Sequence, residues 1–129
     1  MKVLLAAAIL ALSATPSLAD FKLSFDWGNI PLCTTGNPNI VDSPAFKIEG
    51  VPAGTTSIQF TLKDLNARGY DHGGSKRLGL TADGIVPSGV FKYKSPCPPG
   101  GRHTYEWTAV ARAGGKVLAR ATAQRVYPE

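Results

Sequence analysis

The chain offers few residues for soft or redox chemistry: two cysteines, two histidines and one methionine in 129 residues. No Cys-x-x-Cys or His-x-x-His pair occurs among them, so a zinc site of the usual local spacing is not expected. No Gly-x-Ser-x-Gly elbow is present to lift a nucleophilic serine. Charged residues make up only 18% of the chain against 43% hydrophobic, which excludes a disordered protein, since that needs low hydrophobicity and high charge. Beyond the first segment no apolar run approaches the roughly 20 residues that span a bilayer. The 14 glycines and 10 prolines follow no period, which excludes collagen and long-helix proteins. What is left is one domain's worth of chain.

The N-terminal segment reads as an address. Lys2 precedes the uncharged apolar run Val3 to Leu12, and Ser17 and Ala19 close the stretch as a small-x-small pair. A positive start, an apolar stretch of about 7–15 residues and small residues at the end describe a secretory signal peptide. The expectation is cleavage after Ala19, leaving a soluble single domain over 20–129 in the periplasm or outside the cell.

Within 20–129 the charge is uneven. From Lys92 onward there are seven cations and two anions, whereas residues 20 to 91 carry six and seven. A basic C-terminal third attracts anionic partners at long range. Nucleic acid is not expected as a partner of an exported chain, and a solvated basic face accounts for most of the imbalance. Cys33 and Cys97 both lie beyond the cleavage point, and an even cysteine count in an oxidising compartment points to a disulfide. The alternatives are two free thiols, which need protection from oxidants, or a metal site, for which the local ligand pair is missing.

The hydrophobic pattern has period two almost throughout. Phe21, Leu23, Phe25 and Trp27 alternate with polar residues, as do Phe46 and Ile48, then Ile58, Phe60 and Leu62; such alternation marks half-buried strands. Val90 to Tyr93 forms a short run before a Pro-Gly-rich stretch. Residues 103 to 111 place His103, Tyr105, Trp107, Ala109 and Ala111 on one face, and Val117, Ala119, Ala121 and Ala123 alternate after a Gly114-Gly115 turn. Residues 28 to 44 and 66 to 89 show little periodicity. Six or so short strands without an amphipathic helix predict an all-β antiparallel sandwich with little helix.

Three polar residues stand where this pattern expects core. Asp64 is the next inward position after Leu62, and His103 and Tyr105 begin the inward face that continues into Trp107. A carboxylate at such a place sits at the rim or needs a donor beside it. Together the three describe a small pocket at the mouth of a sandwich, although each taken singly is more readily a satisfied or surface residue. His72, in Tyr70-Asp71-His72-Gly73-Gly74, lies in a Gly-rich loop of the kind that contacts ligands.

The segment Ser95-Pro96-Cys97-Pro98-Pro99-Gly100-Gly101-Arg102-His103-Thr104-Tyr105 resembles the second signature of the phosphatidylethanolamine-binding protein family, which includes the Raf kinase inhibitor proteins and their small bacterial relatives. The first signature falls on Asp64-Leu65-Asn66-Ala67-Arg68 and His72, with several of its positions replaced. The lead-in Ser43-Pro44 and Gly50 to Thr55 is also similar, so the resemblance covers about residues 43 to 127. It implies a Greek-key β-sandwich whose two signatures meet in a small anion pocket at one end. Carried over, the ligand-binding residues are Asp64, His72, Pro98, Pro99, His103 and Tyr105. Cys97 occupies the variable position of the Pro-x-Pro-Pro segment, and a link to Cys33 would tether the 28–44 loop to the pocket wall.

The expected function is therefore binding of a small anionic ligand, such as phosphate, a carboxylate or a phospholipid headgroup, without catalysis, cofactor or metal. The histidines would supply positive charge and lose it above their reference pKa near 6.5. The alternative is an inhibitor-like module that engages a protease, kinase or other protein partner, with 66–89 as its contact stretch; a cryptic hydrolase ranks below it. Membrane contact is expected to be peripheral at most.

Overall fold

A computed structural model describes residues 20–129; the expected signal segment, 1–19, lies outside the described residues. Nine strands follow one another in the chain: β1 (Lys22–Phe25), β2 (Ile40–Asp42), β3 (Phe46–Glu49), β4 (Ser57–Asp64), β5 (Lys76–Leu78), β6 (Gly84–Val86), β7 (Lys92–Lys94), β8 (His103–Ala113) and β9 (Lys116–Tyr127). They form a four-stranded sheet in the order β5-β4-β8-β9, a three-stranded sheet β1-β3-β6 and a small β2-β7 pair. Every pairing is antiparallel. The described residues contain no helix, so the all-β expectation holds.

The period-two pattern explains the packing. Ile58, Phe60 and Leu62 of β4, with Trp107, Ala109 and Ala111 of β8, turn one face of the large sheet inward, and Leu23, Phe25, Phe46 and Ile48 cover it from the three-stranded sheet. Aromatic rings lock the two together: Phe46 stacks on Phe60 at 4.7 Å and meets the edge of Trp107 at 5.1 Å. Offset and edge-to-face contacts of this kind add to the area they bury. Alanines at 109, 111 and 121 leave room for these rings.

The sequence pattern and the structure differ at the short strands. The three-residue strands β2, β5 and β6 lie inside stretches read as irregular. Each carries one or two inward residues at most (Val41 in β2, Val86 in β6), too few turns of the alternation to register as a period. Val117 also departs from its expected face. A bulge between Ala111 and Arg112 pairs Arg112 with Val117, while Ala111 pairs with Ala119. One residue is thereby left over, and the parity of the strand changes. Val117 comes out 37% exposed on the outer face. The β8–β9 hairpin itself closes through Gly114 and Gly115, with Gly114 at φ +57°, a conformation that glycine adopts without penalty.

Cys33 and Cys97 form a disulfide across 64 residues of sequence with their Cα atoms 4.6 Å apart. Closing a loop of this size stabilises a fold by about 4 kcal/mol when counted as lost unfolded-state entropy. The bond fits an oxidising compartment.

Phe46 is fully buried and joins three aromatic rings of the opposite layer and β1. The Phe46→Ala variant is expected to lose about 3–5 kcal/mol, a large part of the roughly 5–15 kcal/mol that holds a domain folded. Urea unfolding midpoints at unchanged slope measure it, and a loss below about 1 kcal/mol would show that the two layers do not meet at this ring.

Candidate functional site

The pairing of β4 with β8 builds the centre of the site. Its register runs from Ser57 opposite Arg112 to Asp64 opposite Tyr105, so the polar end of one inward face meets the polar end of the other. Asp64 is 4% and Tyr105 1% exposed. His103 lies one inward step beyond Tyr105, opposite Tyr127 of β9. A carboxylate this buried needs partners, and it has them: Asp64 Oδ2 is 2.6 Å from His103 Nδ1, and its Oδ1 accepts from the Asn66 backbone at 2.8 Å. Asn66 in turn accepts from the Thr104 backbone N–H at 2.7 Å, which fixes the turn after β4 to the start of β8. With Nδ1 committed to Asp64, the imidazole of His103 keeps Nε2 free for a ligand.

His72 arrives from the loop that follows. Asp71 accepts from the Gly73 and Gly74 backbone at 2.9 and 2.6 Å and turns the chain sharply. Gly73 then passes close to the β7 backbone, where a side chain would meet Lys94 N and Tyr93 Cα at 3.5 Å. The ring of His72 is held by its Nδ1, 2.8 Å from the Lys94 carbonyl. A carbonyl only accepts, so Nδ1 carries the proton and, in the neutral ring, Nε2 is a bare acceptor. Nε2 is buried and has no protein partner.

These groups line one cavity of about 210 Å³, which Asp64, His72, Pro99, His103 and Tyr105 share with Gly36, Pro38, Ala67, Tyr70 and Cys97. Five of the six residues expected at the site thus come together. Pro98 does not. In the extended segment 96–99 alternate residues face opposite ways: Pro96 and Pro98 are fully buried, while Cys97 and Pro99 face the cavity. Four lining residues were not singled out in the sequence: Gly36 and Pro38 lie outside any motif, and Ala67 and Tyr70 are neighbours of Asp64 and His72 within quoted segments but carry no polar group that marked them as lining. A larger groove of about 480 Å³ lies elsewhere, between Phe21, Val51, Pro52 and Leu118, and gathers no histidine.

No family model and no curated protein matches the sequence. Solved structures do match. The chain is similar to CT736 of Chlamydia trachomatis, a phosphatidylethanolamine-binding protein (PEBP) homologue, with a TM-score of 0.55 at 15% identity over 85% of this chain and 98% of that one. It is similar as well to YbcL of E. coli, described as a new member of the mammalian PEBP family, with a TM-score of 0.60 at 17% identity over 84% and 98%. The fold is the PEBP fold.

On this PEBP scaffold the electrostatics differ from the expectation at one residue. Burial is the main influence on His72 and pushes its imidazole below the usual 6.5, against the Lys94 carbonyl and the charges of Asp64 and Asp71, which act the other way. His72 therefore offers an acceptor rather than positive charge at neutral pH. Tyr105 is pushed well above the ordinary 10, first by burial and then by the Asp64 charge, so its phenol stays protonated and able to donate. Positive charge at the rim comes from Lys94, whose Nζ stands 5.8 Å from the Tyr70 ring centre.

The lowered His72 pKa is linked to stability. Between its folded value and 6.5 the unfolded chain binds a proton that the folded chain does not, so stability rises with pH there. The contribution is present in full above about pH 6.5 and is lost as pH falls through the folded pKa. The His72→Gln variant, which retains a donor for the Lys94 carbonyl, is expected to lose less stability than the parent between pH 7.5 and 5. Denaturant unfolding at each pH measures this, and parallel curves for the two proteins would sink the assignment.

Proposed function

We propose that this PEBP-fold chain is an exported binding protein whose cavity takes a small oxyanion: phosphate, a carboxylate or a phosphorylated headgroup. The observation that carries the reading is the Asp64–His103 pair, 2.6 Å apart at the wall of a cavity that also gathers Tyr105 and His72. The two structural neighbours are described by a name that refers to phosphatidylethanolamine binding, which supports a phosphorylated ligand. Export rests on the Lys2 to Ala19 pattern and on the disulfide.

Each lining group has a distinct part. Asp64 orients the His103 ring through Nδ1, 2.6 Å from its Oδ2. His103 Nε2, left free by that contact, meets the ligand oxygen, and hydrogen bonds to a charged oxyanion are the stronger class. Tyr105 is a neutral donor. Lys94 attracts anions to the rim. His72, disfavoured as a cation by its burial, adds wall to the cavity without adding charge. At about 210 Å³ the cavity is smaller than the roughly 300–1,000 Å³ typical of drug-sized ligands, so a headgroup fits it better than a whole lipid.

The reading is of binding without catalysis. The two serines nearest the motifs are already committed: the Ser95 hydroxyl is fully buried and accepts from the Asn39 backbone, and Ser75 pairs with Thr61 at 2.8 Å. An NMR titration of residues 20–129 with inorganic phosphate and O-phosphoethanolamine is expected to shift the ring signals of His72 and His103 together. The His103→Ala variant is expected to weaken binding by about 10–100-fold, the worth of a charged hydrogen bond. Ring signals that stay fixed up to tens of millimolar phosphate would overturn the proposal.

A further inference from the structure

The large sheet ends in its longest strand. β9, with 12 residues, pairs with β8 on one side and with no strand on the other. The register tells which of its backbone groups face the bare side. Thr104 of β8 turns its carbonyl to Leu65 N–H and its own N–H to Asn66, both on the β4 side. In an antiparallel ladder this direction alternates from residue to residue. Thr104 stands opposite Val126, so every second residue of β9, from Arg120 through Thr122 and Gln124 to Val126, turns both backbone groups away from β8. The Val126 carbonyl bears this out by accepting from Trp27 Nε1 at 3.0 Å. At that end the edge is closed, since Arg125 Nε also donates to the Phe25 carbonyl. Among the described residues, the N–H and C=O groups of Arg120, Thr122 and Gln124 have no such partner.

A long bare edge invites pairing, and natural sheets guard it with proline, bulges or charge. β9 has no proline and its bulge lies at the hairpin end, so the guard here is charge, and of one sign only. Lys116 and Arg120 are exposed, and neither joins an ion pair among the described residues. A second copy of β9 on this edge would double the positive charge of one ribbon, whereas an anionic strand is attracted to it. Beside the edge, at its open end, lies the apolar groove of Phe21, Val51, Pro52, Leu118 and Ala119. Ala121 and Ala123 stand opposite Ala109 and Trp107 on the inward face, so the side chains of Arg120, Thr122 and Gln124 lie on the outer one. A strand laid along β9 would turn its own side chains alternately to these two faces.

We propose that the free edge of β9 binds an extended segment of a partner protein by strand addition. That segment alternates acidic residues, set opposite Arg120 on the outer face, with apolar ones that reach the groove at Ala119. Main-chain hydrogen bonds to Arg120, Thr122 and Gln124 supply the affinity, and the alternate side chains supply the choice of partner. The edge shares no residue with the oxyanion cavity and stands independently of the function proposed for it.

The probes are two end-capped heptapeptides, one alternating glutamate with valine and the other lysine with valine, added to isotope-labelled residues 20–129. The glutamate peptide is expected to shift the amide signals of Arg120, Thr122 and Gln124 and to slow their exchange with solvent. At low salt it is expected to bind about tenfold tighter than the lysine peptide, because opposite charges across a strand pair stabilise it and like charges destabilise it. Arg120→Glu is expected to reverse that order. Thr122→Pro removes an outward donor at a place where an edge strand tolerates proline and is expected to abolish binding of both peptides; should it disturb the fold, the Arg120→Glu reversal decides. Equal affinity for the two peptides, or an order unchanged in Arg120→Glu, overturns the acidic partner. Shifts confined to the residues around His103 overturn the edge as the site. Shifts at 120–124 that grow with protein concentration without peptide assign the edge to a second copy and overturn the proposal. Edge signals unmoved by the glutamate peptide at about 1 mM, the weak end of specific binding, overturn it outright.

Discussion

The pairing of β4 with β8 is the constraint on which the rest depends. Eight consecutive residue pairs, from Ser57–Arg112 to Asp64–Tyr105, carry the inward face of the large sheet and end in its polar pair. A slip of one residue would exchange the two faces of a strand, exposing Ile58, Phe60 and Leu62 and turning Asp64 away from His103. The aromatic layer from Phe25 and Phe46 therefore guards the site as well as the core: the packing that makes a slip costly also holds the carboxylate 2.6 Å from the imidazole. Core and chemistry share a single register.

Much of this was legible in the sequence because alternation is a strong signal over long strands. β8 and β9, with 11 and 12 residues, show it over several cycles, and β4 shows it up to Asp64. Extending those faces by one step was enough to find Asp64, His103 and Tyr105 as a group. The short strands β2, β5 and β6 were not legible, because three residues carry no period, and the bulge that exposes Val117 leaves no mark in composition. Pro98 illustrates the limit of carrying over a motif: its place in the Pro-Pro pair is conspicuous, but only the backbone direction decides which of the two prolines faces the cavity. Gly36 and Pro38 reach the site through a loop closed over a long stretch of chain, and no local pattern announces them. At 15–17% identity to structures of the same fold, the shared feature is the arrangement of inward faces and not a run of sequence.

The charge state of the cavity was the least legible property. Two histidines in a sequence suggest two cations. Burial makes them unequal: His72 is tied by Nδ1 to a carbonyl and disfavoured as a cation, whereas His103 is partly exposed and rests on a carboxylate. Desolvation disfavours the charged form of a buried imidazole, and only the three-dimensional surroundings show which of the two rings is buried. A pair of titratable groups with separated roles is a common feature of working sites.

The Gly114–Gly115 hairpin has a consequence for how such a chain is assembled. β8 and β9 meet through a two-residue turn, whereas Asp64 and His103 are 39 residues apart and the disulfide spans 64. Loop-closure entropy rises with the length of chain enclosed, so the hairpin is the cheapest long pairing to form and the most local template in the sheet. The β4–β8 pairing encloses the loops between them, and the disulfide a still longer stretch. Topologies dominated by distant pairings fold slowly for this reason. The cavity draws its lining from the most distant of these segments, Gly36 to Tyr105, so its closure carries a larger loop-entropy cost than the hairpin does.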